Sequence, residues 1–328
     1  MTEKGPKIQE IRRLHEALSG ELLRTPVVRC AALEAIIGGR TEVTAKLEFL
    51  QRTGTFKARG ALGTLRSLEP GQFAAGVTAV SAGNPAIATA FAAQAMGTTA
   101  RVVMMKSANP ARVRACREYG AEVVLAEDVH EAFDVAERIQ REEGRYFLHP
   151  FEGPGVALGT GTLGLEICEQ VGDLEALIVP IGGGGLIGGV ANAVKQLAPA
   201  CEIIGVEPEG ADTMRRSRAA GEPQAIERVA TIADSLGAPF AMPYSFALAQ
   251  EHVDDLVTID DEQLRRSMGF LFRAMKVAVE PACAASTAAL LWPLRERLLG
   301  KRVGLVMCGS NIDWDTFERQ AIFDDGVT

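Results

Sequence analysis

Short apolar runs alternate with amphipathic stretches along most of the 328-residue chain. Residues 44–50, 77–80, 101–105, 122–125, 176–181, 203–206, 256–259 and 302–307 are compact runs rich in Val, Ile and Leu, and predict β-strands. Residues 85–96, 110–119, 131–143, 186–197, 263–275 and 284–299 repeat apolar positions with a helical period. Continuous apolar strands, each followed by a helix, imply an α/β fold whose parallel sheets are covered on both faces. The length suits two α/β domains sharing one cleft better than a single core. Ligands of such sheets bind beyond the carboxyl ends of the strands. Residues 215–228 are polar and read as surface, and the tail after Phe323 reads as frayed. No repeat, low-complexity block or long linker interrupts the pattern, and nothing C-terminal reads as an appended regulatory domain.

Charge and composition remove several function classes. A net charge of −8 is the wrong sign for a nucleic-acid footprint and favours solubility. No apolar run approaches the roughly 20 residues of a membrane span. The first residues, Met-Thr-Glu-Lys-Gly-Pro-Lys, lack the apolar core of a signal peptide. Cys30, Cys116, Cys168, Cys201, Cys283 and Cys308 form no CxxC pair, and His15, His130, His149 and His252 show no HxxxH spacing. Scattered cysteines in a chain of this length point to buried thiols in a reducing cytoplasm.

The glycine-rich loops carry the candidate chemistry. Gly182, Gly183, Gly184 and Gly185 follow a strand and, with Leu186, open a helix. Backbone amides there either cradle a phosphate or make a tight unliganded turn. The same stretch reads as Gly183-x-Gly185-x-x-Gly188, with Glu207 ending the next strand, so a nicotinamide-dependent dehydrogenase is a rival. Lys57 lies past a strand in a loop of small and polar residues, Thr55-Phe56-Lys57-Ala58-Arg59-Gly60, where an amine can form a Schiff base with an aldehyde. In Ser81-Ala82-Gly83-Asn84-Pro85, Asn84 can cap the following helix, bond a phenolate oxygen, or both, and free amides of the turn can take a carboxylate. Cys308 is either a buried thiol or the neutral partner of a ring nitrogen. Glu280 is either a helix-start residue or a cleft residue. His149 reads as a buried, satisfied histidine.

Several motifs stand in the order and spacing of one family. They are TFKARG at 55–60, SAGN at 81–84, HPFEGP at 149–154, GTGTLGLEI at 159–167, GGGGLIGG at 182–189, GVEPEGAD at 205–212, MKVAVEPACA at 275–284 and MCGSNID at 307–313. Together they resemble the serine/threonine dehydratase family, which includes threonine dehydratase and serine racemase-like enzymes. These are fold-type II users of pyridoxal 5'-phosphate. The resemblance implies a tryptophan synthase β-like fold, with two open parallel-sheet α/β domains and the active site between them. It implies a large domain of residues 1–48 plus 151–328, a small domain of 49–150, and a homodimer or homotetramer.

The resemblance also implies roles. Lys57 would carry the cofactor as a Schiff base and act as base at the substrate α-carbon, and Phe56 would lie against one cofactor face. Asn84 would bond the ring oxygen, Gly182 to Leu186 the phosphate, and Cys308 the ring nitrogen. Ser81, Ala82, Gly83, Asn84 and Pro85 would border the carboxylate of an amino-acid substrate. The implied reaction is β-elimination from a β-hydroxy amino acid, such as L-threonine or L-serine, to a 2-oxo acid and ammonia. Hydroxyaspartate dehydration, serine racemisation and β-replacement are alternatives on the same fold. Racemases of the family place a serine where this chain has Ala82, which argues against two-faced proton exchange. Glu207 and Ala211 match part of a divalent-cation (Mg2+) site found in some members, but Thr213 stands at the second acidic position. Phe133 matches the place where a cation would meet a distal carboxylate, and suits an apolar substituent better.

Overall fold

A computed structural model describes residues 4–323; the tail after Phe323 lies outside them. The strands are β1 (Val27–Arg29), β2 (Glu42–Leu47), β3 (Val77–Val80), β4 (Ala100–Met105), β5 (Glu122–Ala126), β6 (Tyr146–Phe147), β7 (Ala176–Pro180), β8 (Glu202–Pro208), β9 (Asp255–Ile259) and β10 (Arg302–Met307). The helices are α1 (Ile8–Ala17), α2 (Ala31–Ile37), α3 (Lys57–Ser67), α4 (Asn84–Ala95), α5 (Pro110–Glu118), α6 (Val129–Glu143), α7 (Pro154–Gln170), α8 (Gly185–Leu197), α9 (Thr213–Ala220), α10 (Pro243–His252), α11 (Asp261–Met275), α12 (Pro281–Leu291) and α13 (Trp314–Gln320).

Two sheets result, in the orders β1-β2-β10-β7-β8-β9 and β5-β4-β3-β6. Only β1, paired with β2, runs antiparallel. Parallel neighbours need crossover helices, which cover both faces, so central strands are apolar throughout. β7 is buried at every position, and β10 at all but its first. The smaller sheet draws its strands from residues 77–147, and the larger from 27–47 and 176–307. Helix α1 packs across α7 and α8, with Ile11 against Leu165 and Ala193.

Several expected boundaries move. The run expected as a strand over 44–50 leaves the sheet after Leu47 and turns through a 3-10 segment, Glu48–Leu50, because Glu48 is drawn into a buried ion-pair cluster. The helix expected over 284–299 ends at Leu291, since Pro293 lacks a backbone donor and clashes with the preceding turn. Within the polar stretch 215–228, α9 turns Ser217 inward. Helix α7 has no polar face to betray it in the sequence: most of its first fourteen residues are buried, and its glycines admit α3. A Cβ at Gly159 would stand 2.0 Å from the carbonyl oxygen of Arg59.

Candidate active site

Lys57 is the first residue of α3 rather than part of a loop. The hydroxyl of Thr55 accepts from its backbone N–H at 3.1 Å, which starts the helix. The loop before it is stitched to the end of β10: Phe56 N donates to Cys308 O at 3.1 Å, and Thr55 bridges Gly309. Two residues on, Arg59 is buried and forks onto two carboxylates. It reaches Glu48 at 2.7 and 2.9 Å and Glu166 at 2.8 and 2.9 Å, while Lys46 Nζ meets Glu166 at 2.5 Å. Two cations and two anions balance, so no buried charge stands alone. The Lys57 amine points the other way. Nζ donates to the Pro150 carbonyl at 2.8 Å and lies 5.0 Å from the centre of the Phe56 ring. Burial lowers its pKa to about 8, against the opposite pull of Glu280.

The glycine turn lies between β7 and α8 and faces this amine. Gly184 has a φ of 90°, in the left-handed region, and a Cβ at Gly183 would fall 2.3 Å from the Phe151 ring. No acceptor among the described residues takes the backbone N–H of Gly182, Gly183, Gly184, Gly185 or Leu186. These free donors at the start of a 13-residue helix form a concave site for an anion. Thr160 supports the turn by donating to the Gly185 carbonyl at 2.8 Å.

Asn84 is the first residue of α4. Gly83 occupies the capping position, so the Asn84 side chain is not a cap. Its Nδ2 instead donates to both oxygens of Glu280, at 2.9 and 3.1 Å, and to Ser235 Oγ at 3.2 Å. Glu280 precedes α12 without capping it by its side chain, and its carboxyl reaches the cleft. Burial, aided by nearby Asp234, pushes that carboxyl up to about 7, against the bonds from Asn84. Cys308 follows β10 and leans on the thiol of Cys283. That contact, burial and Glu280 hold it well above the ordinary thiol range, so it stays neutral. Phe56, Lys57, Asn84, the four glycines, Leu186 and Cys308 all line one cavity, with Phe151, Ser235 and Glu280.

Around this cavity, Ser81 Oγ accepts from Gly83 N at 3.1 Å, and Ala82 lines an adjoining hollow of about 430 Å³ with Arg112, Asp234 and Asn311. Pro85 borders a narrow apolar pocket beside Lys57, with Ala88, Leu148 and Val156. Arg112, an arginine in an amphipathic helix, carried no signal in the sequence, and Asn311 stood in the MCGSNID motif without an assigned role. Arg112 bonds Asp234 at 2.7 Å and the Asn311 carbonyl at 3.2 Å, joining α5 to the opposite wall.

Three expectations meet a different arrangement. Glu207 spends both oxygens on the amides of Met214 and Arg215, each at 2.8 Å, and so caps α9 rather than facing an ion with Ala211. Burial raises its carboxyl to about 8, and among the described residues no three His, Cys, Asp or Glu side chains converge. Glu207 is also fully buried, out of reach of a ribose hydroxyl, which counts against the dinucleotide reading of the glycine turn. Phe133 is 48% exposed on α6 and lines neither the cavity nor its neighbours. His149, by contrast, is satisfied as expected, though half-buried rather than buried: its Nδ1 accepts from the amides of Phe151 and Glu152, at 3.3 and 3.0 Å. Burial, then Lys57, lowers its pKa to about 4.

A family model described as pyridoxal-phosphate dependent enzyme matches residues 18–309. The chain is similar to a phenylserine dehydratase of Ralstonia pickettii, 53% identical over 314 residues that cover 96% of each protein. It is also similar to an L-threonine ammonia-lyase of Thermotoga maritima, 37% identical over 95% of this chain and 77% of the relative. Among solved structures, maize serine racemase matches with a TM-score of 0.91 at 33% identity, over 96% of this chain and 97% of that one. The chain therefore belongs to the family of pyridoxal-phosphate dependent enzymes.

Proposed function

We propose that this enzyme is an ammonia-lyase for β-hydroxy α-amino acids with an apolar β-substituent, phenylserine foremost and threonine or serine after it. The observation that carries the reading is the convergence of a buried amine, a row of free amides at a helix start, and a neutral thiol on one cavity. These donors fit pyridoxal phosphate: Lys57 for its aldehyde, the amides of Gly182 to Leu186 for its phosphate, Phe56 for one face, Asn84 for the ring oxygen and Cys308 for the ring nitrogen. Bound there, the cofactor supplies an electron sink for the bond broken at the substrate α-carbon.

The chain's own residues do the rest. Lys57 takes the α-proton, and its lowered pKa leaves much of the free amine unprotonated near pH 8. Ser81, Gly83 and Asn84 hold the substrate carboxylate, with Ala82 and Pro85 beside them. Ala82 has no proton to exchange, so the face opposite Lys57 lacks an acid or base, which favours elimination over racemisation. Loss of water leaves an enamine, which becomes an imine and hydrolyses to a 2-oxo acid and ammonia. An apolar β-substituent is in line with the name of the Ralstonia pickettii relative, and Pro85 gives the turn an apolar edge beside Lys57.

The reading extends to the whole protein. It has a small domain of 49–150 and a large one of 1–48 plus 151–328, supported by the origin of the strands in each sheet. It acts as a homo-oligomer, dimer or tetramer, in the cytoplasm, where six unpaired thiols would persist. The deciding experiment is oxo-acid formation from phenylserine, threonine, serine and 3-hydroxyaspartate at equal concentration. The account expects phenylserine and threonine to turn over ahead of 3-hydroxyaspartate, and the reverse order would sink it.

A further inference from the structure

Asn311 lies where three parts of the site meet. Its Nδ2 donates to the backbone carbonyl of Thr53 at 2.8 Å and to Oδ1 of Asn84, also at 2.8 Å. Gly54, with a φ of 72°, leaves room for it, since a Cβ there would fall 2.4 Å from Asn311 Oδ1. The Asn311 carbonyl accepts from Arg112 at 3.2 Å, and Ser310 N donates to the Gly54 carbonyl at 3.0 Å. The backbone of Asn311 and its side-chain NH2 are thus both anchored.

These bonds have a direction. A side-chain amide can present its oxygen or its NH2 to a neighbour, and the two orientations have nearly the same shape. The Thr53 carbonyl can only accept, so it draws the NH2 of Asn311. The second N–H of that group then meets Asn84, which must answer with its oxygen. The NH2 of Asn84 is left facing Glu280, Ser235 and the cavity. The order Thr53 carbonyl, Asn311, Asn84 holds whether Glu280 is charged or neutral, because its first member cannot change role.

We propose that Asn311 is a positioning residue that fixes the Asn84 amide with its N–H groups turned into the cavity, as a preset donor for the cofactor ring oxygen. Without it, Asn84 can flip and present its own oxygen to that atom, so a hydrogen bond becomes a repulsion. The inference rests on the reading of Asn84 as the ring-oxygen partner. Asn311 needs no contact with cofactor or substrate, and it acts through Asn84.

The test compares the affinity of the apoenzyme for pyridoxal 5'-phosphate with that for 3-deoxypyridoxal 5'-phosphate, which lacks only the ring oxygen. Equilibrium dialysis gives the ratio without any turnover. The wild-type protein should prefer the natural cofactor by roughly tenfold or more, the value of one hydrogen bond to an ionised oxygen. Asn311→Asp places an acceptor against Asn84 and should bring the ratio to about one. Asn311→Ala adds no charge and should lower the ratio severalfold. A general loosening of the fold would weaken both ligands together and leave the ratio unchanged. A wild-type ratio near one overturns the role of Asn84 and this inference with it. A wild-type preference that survives intact in either variant, with the variant's thermal melt showing a folded protein, overturns the role of Asn311 alone. If the aspartate variant does not fold, the alanine variant decides by the same ratio.

Discussion

At Lys57 the opposing influences can be named: burial disfavours the ammonium, while Glu280 favours it, and burial prevails. Capture of an aldehyde requires the neutral amine, so the rate at which apoenzyme takes up pyridoxal phosphate should climb with pH through a midpoint near 8. An ordinary lysine would place that midpoint at about 10.4. Growth of near-visible absorbance after mixing measures it. Glu280 titrates at about 7, so it is largely ionised at that midpoint and holds the amine partly protonated. Glu280→Gln removes this pull and should move the midpoint further down. A midpoint near 10, or an upward shift in the variant, would contradict these two assignments.

Helix α3 owes its position to Arg59. The guanidinium fork binds Glu48 after β2 and Glu166 on α7, and Lys46 completes the charge balance. Arg59→Ala leaves two buried carboxylates facing one ammonium, which should destabilise the protein by about 3–5 kcal/mol. Urea unfolding measures the change. Arg59→Lys should recover little, since one ammonium cannot reach both carboxylates as the planar fork does. A loss below about 1 kcal/mol in the alanine variant would mean that the cluster relaxes or admits water. The elements of the sheets were largely legible in the sequence because parallel strands buried on both faces are continuous apolar runs. Helices were legible where one side meets water, as in α6 and α11. Helix α7 lacks such a side, and the start of α3 was read as loop because its signal is a threonine hydroxyl two residues upstream.

On the scale of the molecule, the site is assembled across the cleft from the segment between the two arms and from the later arm, in a fold-type II architecture. Lys57 and Asn84 come from the segment between the arms of the larger sheet, and the glycine turn, Glu280 and Cys308 from the later arm. The motifs and their order were visible in the sequence, and so was the chemistry each could perform. Which side chains meet across the cleft was not. Asn84 finds Glu280 at a separation of 196 residues and Asn311 at 227, and no local pattern encodes such pairs. The same limit explains Glu207: its sequence context matched a cation site, while its two oxygens are committed to a helix that begins several residues later. The central claim is that one lysine of the chain holds the cofactor. Borohydride reduction of the protein loaded with pyridoxal phosphate, followed by digestion and mass mapping of the labelled peptide, tests it most directly. The account predicts a single phosphopyridoxyl label, on Lys57, and its absence from Lys57→Ala; a label seated on any other lysine would contradict it.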